Sequence, residues 1–253
     1  MDPDETQVLT RTGEFEVAED ATSDTGPTPQ WEADARYRLA AAVDRFTAPL
    51  NDLLERDANE GDTRMWVADF LSEGLGYNKY DALTTEYRTQ GESIDYGLRI
   101  RGELFAFLEV KRCGQDVDAR SLRPARTNAA EEGVEWLLLT NGRVWRAYHL
   151  SDDDAGPELV LEVDLFGEDE QATLDALFHL TREAVAGERL EGLRRWHAAL
   201  TASPLAEVLL SEPVIATIRA QVRERTGHVG HLGDTDDVTH ALTNEILRRR
   251  VTD

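Results

Sequence analysis

The sequence predicts an α/β protein, a mixed sheet flanked by helices and followed by an all-helical C-terminal extension. Three observations predict it. Apolar residues recur at spacings of three and four through two N-terminal segments, alternate at about two between residues 81 and 166, and return to three and four from Glu168 onward. The expected divisions are an acidic tail over residues 1–30, the α/β domain over 31–165 and the helical extension over 166–253. The tail holds eight acidic residues against one arginine and ends near two prolines, so it buries too little apolar surface to offset chain entropy and is expected to be disordered.

The first helix is predicted over residues 31–60, where Leu39, Val43, Phe46, Leu50, Leu53 and Leu54 form one apolar stripe and Pro49 is a point of bending. A second covers 63–77, with Trp66, Val67, Phe70 and Leu71 buried and Gly74 and Gly76 ending it. Three short strands follow, "DALTTEYRT", "ESIDYGLRI" and "ELFAFLEVK", the last two close enough through Arg101-Gly102 to form a hairpin. "DARSLRPARTNAAEEG" reads as a helix with Pro124 in its first turn and Gly133 just past its end. In "VEWLLLTNGRVWRAYHL" two β-rich runs meet at Asn141-Gly142, the pair that accepts the positive φ angles of a type I′ turn. Trp136 and Trp145 in it are expected in the core or as hairpin pairs. "ELVLEVDLF" is a further strand. Helices are expected over 169–187, 188–202, 205–227 and 234–250.

Fifty acids against 27 bases give a formal charge of −23, which on its own argues against a polyanion as partner. Two readings stay open. The chain is an acidic protein that avoids nucleic acid, or it works in a salt-rich, halophilic cytoplasm, where a Debye length of ~3 Å at 1 M removes long-range repulsion. The scarcity of lysine beside abundant Asp, Glu and Arg fits the second. No apolar run is long enough to span a bilayer and no signal-peptide pattern opens the chain, so a cytoplasmic location without membrane contact is expected. The lone Cys113 excludes an internal disulfide and a cysteine-based zinc cluster.

The chemistry lies in "ESIDYGLRIRGELFAFLEVKR", where Lys111, one of two lysines in the chain, ends an apolar strand two residues after Glu109. Residues two apart on a strand share a face, so Glu109 and Lys111 project together. A hairpin turn centred on Gly102 pairs residues whose numbers sum to 204, which sets Asp95 opposite Glu109 with Cβ atoms about 4.5 to 5.5 Å apart. Two facing carboxylates repel unless a cation lies between them, and Mg2+ (or Mn2+) is commonly held by one or two carboxylates, waters and a phosphate. Lys111 then supplies a compact ammonium whose pKa can shift, which a guanidinium does not. A structural salt bridge among the same three side chains is the plainer alternative.

An Asp on one strand followed by Glu-x-Lys on the next resembles the PD-(D/E)XK nuclease superfamily. Within it, "NEGDTRMWVADFLSEGLGY", "SIDYGL", "FLEVKR" and "LLLTNGRVWRAYHL" resemble the N-terminal nuclease domain of type I restriction enzyme R subunits. The likeness covers residues 58–165 and implies a restriction-endonuclease-like fold and a Mg2+-dependent endonuclease acting on DNA. Asp95 and Glu109 would bind the metal, Lys111 would serve the water, and Glu60 would add an acid from the helix. Glu60 also reads as a solvated acid at a helix start, with Asp62 as the cap. Ile94 stands where the superfamily has proline. The glutamine usual on the helix after Glu-x-Lys is missing, with Arg126 or Asn128 as substitutes. No phosphate-loop motif occurs in the chain, so ATP-driven translocation would need a helicase partner, and a methyltransferase or specificity subunit is a further expected partner. Of the remaining candidates, His228 and His231 read as a solvated turn, and the arginines of "LRRW" and "EILRRRV" as polar helix faces or phosphate contacts.

Overall fold

The computed structural model describes residues 28–88, 93–151, 156–227 and 234–247. The greater part of the predicted tail, His228 and His231, and the arginines at 248–250 lie outside the described residues.

Six strands form one mixed sheet in chain order: β1 (Leu83–Arg88), β2 (Ser93–Ile100), β3 (Glu103–Val110), β4 (Trp136–Thr140), β5 (Val144–His149) and β6 (Glu158–Asp164). Short connections make every neighbouring pair antiparallel except β3 and β4, which run parallel. A parallel pair needs a crossover. It is supplied by a 3₁₀ turn (Ala119–Leu122) and helix α3 (Arg123–Glu132), with Pro124 in the first turn and Gly133 in the left-handed region at the end.

Helices cover both faces. On one, α1 (Gln30–Glu55) and α2 (Glu60–Glu73) pack Leu39, Leu50, Trp66, Val67, Phe70 and Leu71 against Leu98, Ala106, Leu108, Val110, Leu138 and Trp145. Pro49 sits inside a continuous α1. On the other face, Ala125 and Ala129 of α3 close over Ile94, Phe107, Leu137 and Leu139. β3 and β4 are therefore buried on both sides, which is why their sequences are near-continuous apolar runs instead of alternating ones.

The helical region shares the first core. In α4 (Glu170–Phe178) and the segment after it, Leu177, Phe178, Leu180, Ala184 and Leu190 join the α1–α2 cluster. The stretch predicted as one helix over 169–187 is two, because Thr181 caps α5 (Arg182–Ala186), its Oγ1 accepting from the Ala184 amide at 3.3 Å. The stretch predicted over 205–227 also divides, into α7 (Ala202–Leu209) and α8 (Glu212–Thr226), with α6 (Arg189–Ala199) before them. Pro213 stands in the first turn of α8, where an amide proton would have no helical partner, so it favours a new helix start after Ser211. α9 (Thr235–Ala241) is capped by Asp234 and continues as a π-type turn over Leu242–Leu247. No described helix is long and apolar enough to cross a membrane.

Candidate active site

The β2–β3 hairpin sets the register of the site. Its turn is the two-residue Arg101-Gly102, with φ of 54° and 87°, and it pairs Ile100 with Glu103 and Arg99 with Leu104. This is one residue tighter than a turn centred on Gly102. A bulge between Leu98 and Arg99 inserts Phe105 as an extra residue on β3, so Leu98 meets Ala106 and Tyr96 meets Leu108. The bulge restores the register the sequence analysis expects. Without it every side chain beyond would change face.

The ladder ends at Tyr96↔Leu108. Asp95, one step further, turns its side chain to the partner strand, and Oδ2 accepts the Val110 amide at 2.8 Å in place of a backbone carbonyl. Glu109, only 9% exposed, immediately precedes that amide and feels the charge of Asp95. Lys111 continues the parallel pairing through a 2.7 Å bond from its amide to the Thr140 carbonyl, and its Nζ lies 3.7 Å from Glu109 Oε2. Lys79, the other lysine, pairs on the surface with Asp69.

α2 brings two more groups. Asn59 caps the helix, its Oδ1 accepting from the Asp62 amide at 2.9 Å, so Asp62 is not the cap and Glu60 is the first helical residue. The Thr63 hydroxyl accepts from the Cys113 amide at 3.1 Å, which ties this turn to the chain leaving β3. The Tyr96 hydroxyl donates to the Arg64 carbonyl at 2.8 Å, fixing the next turn to β2. From that anchored backbone Arg64 Nη1 donates to Asp95 Oδ1 at 2.9 Å. Arg64 is, with Glu60, one of the residues of "NEGDTRMWVADFLSEGLGY" that carry the resemblance, but the sequence assigns it no chemical role. Its four-residue spacing from Glu60 was the available signal.

Electrostatics tie the cluster together. The Glu109 carboxyl is pushed up to about 7, first by burial and then by the charge of Asp95; Lys111 opposes this and Glu60 adds to it. Burial, with the Asp95 charge, also raises the Tyr96 hydroxyl to about 12. Asp95, Glu109, Lys111 and Glu60 thus act on one small volume. On α3, Asn128 is buried whereas Arg126 is exposed. Asn141, in the loop beyond β4, donates through Nδ2 to the Gln115 carbonyl at 2.8 Å and so holds the segment after Lys111 against the sheet.

Among the described residues no three His, Cys, Asp or Glu side chains stand close enough to hold a metal ion by themselves. Two carboxylates with oxygen-only chemistry, one of them driven toward neutrality by burial and by the charge of the other, nonetheless match what Mg2+ takes from a protein when waters and phosphate complete its shell.

No protein-family model matches the chain, and no curated protein does. A chain from a cryo-EM structure of a DrdV–DNA complex is similar over 84% of this chain and 21% of its own length, at 18% identity and a TM-score of 0.37. This chain therefore spans about a fifth of that one, and a likeness so slight carries no weight for fold or function.

Proposed function

We propose that the protein is a magnesium-dependent endonuclease of restriction-endonuclease-like fold that hydrolyses DNA phosphodiester bonds in restriction or defence. The observation that carries this reading is the meeting of Asp95, Glu109 and Lys111, from two adjoining strands, where the ladder ends and Lys111 Nζ lies 3.7 Å from Glu109.

In this reading Asp95 and Glu109 hold the ion, which when bound neutralises charge developing on the phosphoryl group and makes water more acidic. Lys111 orients the attacking water and offsets negative charge on the phosphate, a task suited to a compact ammonium fixed by the sheet and set beside a carboxylate. Glu60, half-buried at the start of α2, would add negative charge to the same site. With a formal charge of −23 the surface gives a DNA strand no long-range attraction, so recognition depends on short-range contacts in high salt or on a basic partner subunit. A helicase, methyltransferase or specificity subunit is the kind of partner a restriction system would add.

A second reading, a nuclease-derived binding module without efficient turnover, is favoured by the Arg64–Asp95 ion pair, which already satisfies one expected ligand. Supercoiled plasmid incubated with the protein and Mg2+ or Mn2+ in molar potassium chloride separates the two. Nicked or linear product that disappears in Lys111→Ala supports the nuclease. Retention of DNA without cleavage supports the module, and neither outcome across a salt series removes both.

A further inference from the structure

We infer that Arg64 and a divalent cation are alternative occupants of Asp95, so that Arg64 keeps the site closed until a cation displaces it. The inference rests on the reading of Asp95 and Glu109 as metal ligands.

Asp95 has two oxygens, and the protein commits them unequally. Oδ2 receives the Val110 amide at 2.8 Å, a bond built into the end of the β2–β3 ladder, which leaves Oδ1 as the oxygen free to change partner. Arg64 Nη1 occupies it at 2.9 Å. A magnesium ion binds carboxylate oxygen at about 2.0 to 2.1 Å. On the same oxygen it would stand within roughly 5 Å of the guanidinium charge, a separation at which two cations repel strongly in a partly buried site. The carboxylate cannot move to serve both, because its side chain is only 12% exposed and held from behind by β3.

Arg64 is able to leave. Its side chain is 38% exposed and its backbone stays anchored through Tyr96, so the guanidinium moves without the helix. Glu60, one turn earlier on α2, acts electrostatically on both Arg64 and Glu109 and is an acid on the same helix that can receive the released charge. Once released, its planar fork of donors suits a phosphodiester anion.

The test measures cation binding to the DNA-free protein by calorimetric titration with Mn2+ at constant ionic strength. Arg64→Ala is expected to bind about tenfold more tightly than the parent, the effect of removing one charge-assisted competitor. Arg112→Gln removes a neighbouring cation that pairs with Asp57 instead, and is expected to stay within about twofold, which separates competition from a general change of charge. The melting temperature gives a second readout, since without cation Arg64→Ala leaves Asp95 unpaired and melts below the parent, and with saturating Mn2+ it gains more. If Arg64→Ala does not fold, Arg64→Gln carries the same expectation. Equal or weaker binding in the Arg64 variants, with Asp95→Asn still abolishing binding, overturns the inference and leaves the metal reading intact. Absence of binding to all of these proteins overturns the metal reading itself.

Discussion

Ionisation of Glu109 is coupled to folding. Its carboxyl titrates near 7 in the folded chain against an ordinary 4.5, so between those values the folded state holds a proton that the unfolded state has lost. The stabilisation is complete below about pH 4.5 and is lost as pH rises through about 7, at most ~3 kcal/mol by linkage. Denaturant unfolding at pH 5 and pH 8.5 should show that fall in the parent and a smaller one in Glu109→Gln. A divalent cation should restore much of it at pH 8.5 and little at pH 5, where protons compete for the same carboxylate. At this scale the sequence was informative where composition was unusual. A lysine closing an apolar strand in an arginine-rich chain marked Lys111. Arg64 was marked only by its spacing from Glu60, and its partner was not legible, because that depends on Tyr96 fixing α2 and on Val110 orienting Asp95, both contacts across elements.

Among the elements, the β2–β3 hairpin decides whether the two acids face each other. Both turn residues have positive φ, and Arg101 pays for this with a Cβ where glycine has none. Arg101→Gly is expected to stabilise the protein by about 1 kcal/mol, and Gly102→Ala to destabilise it by about as much, in urea unfolding. No atom lies within 4 Å of a Cβ built at Gly102, so the second effect is one of backbone conformation and not of crowding. The pattern of alternation made the hairpin legible, but the bulge at Phe105 was not, because an inserted residue leaves no periodic trace in so short a strand. At the Asn141-Gly142 loop the reverse happened. The pair predicts a type I′ turn, yet positive φ is confined to Gly142 there. The Asn141 Oδ1 accepts from the amides of Arg143 and Val144 at 3.1 and 2.7 Å, and this local side-chain bonding replaces the turn the dipeptide usually makes.

For the whole molecule, the shift of apolar period gave the number and order of strands, and the short connections left few ways to pair them. The parallel contact of β3 and β4 across the intervening helix was not read from the sequence, though such a crossover is what a parallel pair requires. What periodicity does not carry is which helices share a core. Leu177, Phe178 and Leu190 lie beyond the last strand and still pack with α1 and α2, whereas Trp196, Leu200 and Val208, with similar spacing, remain exposed. Burial of Cys113 has a practical outcome. The chain carries a single sulfhydryl, two positions past Lys111, 2% exposed and directed at the Leu53 carbonyl at 3.4 Å. A thiol reagent can reach it only when the chain leaving β3 parts from α2, so its labelling rate times the breathing of this one corner. That rate should be more than about a hundredfold slower than in denaturant, and should slow again when Mn2+ is added. Labelling as fast as in the unfolded chain would mean that the wall behind Lys111 is not closed.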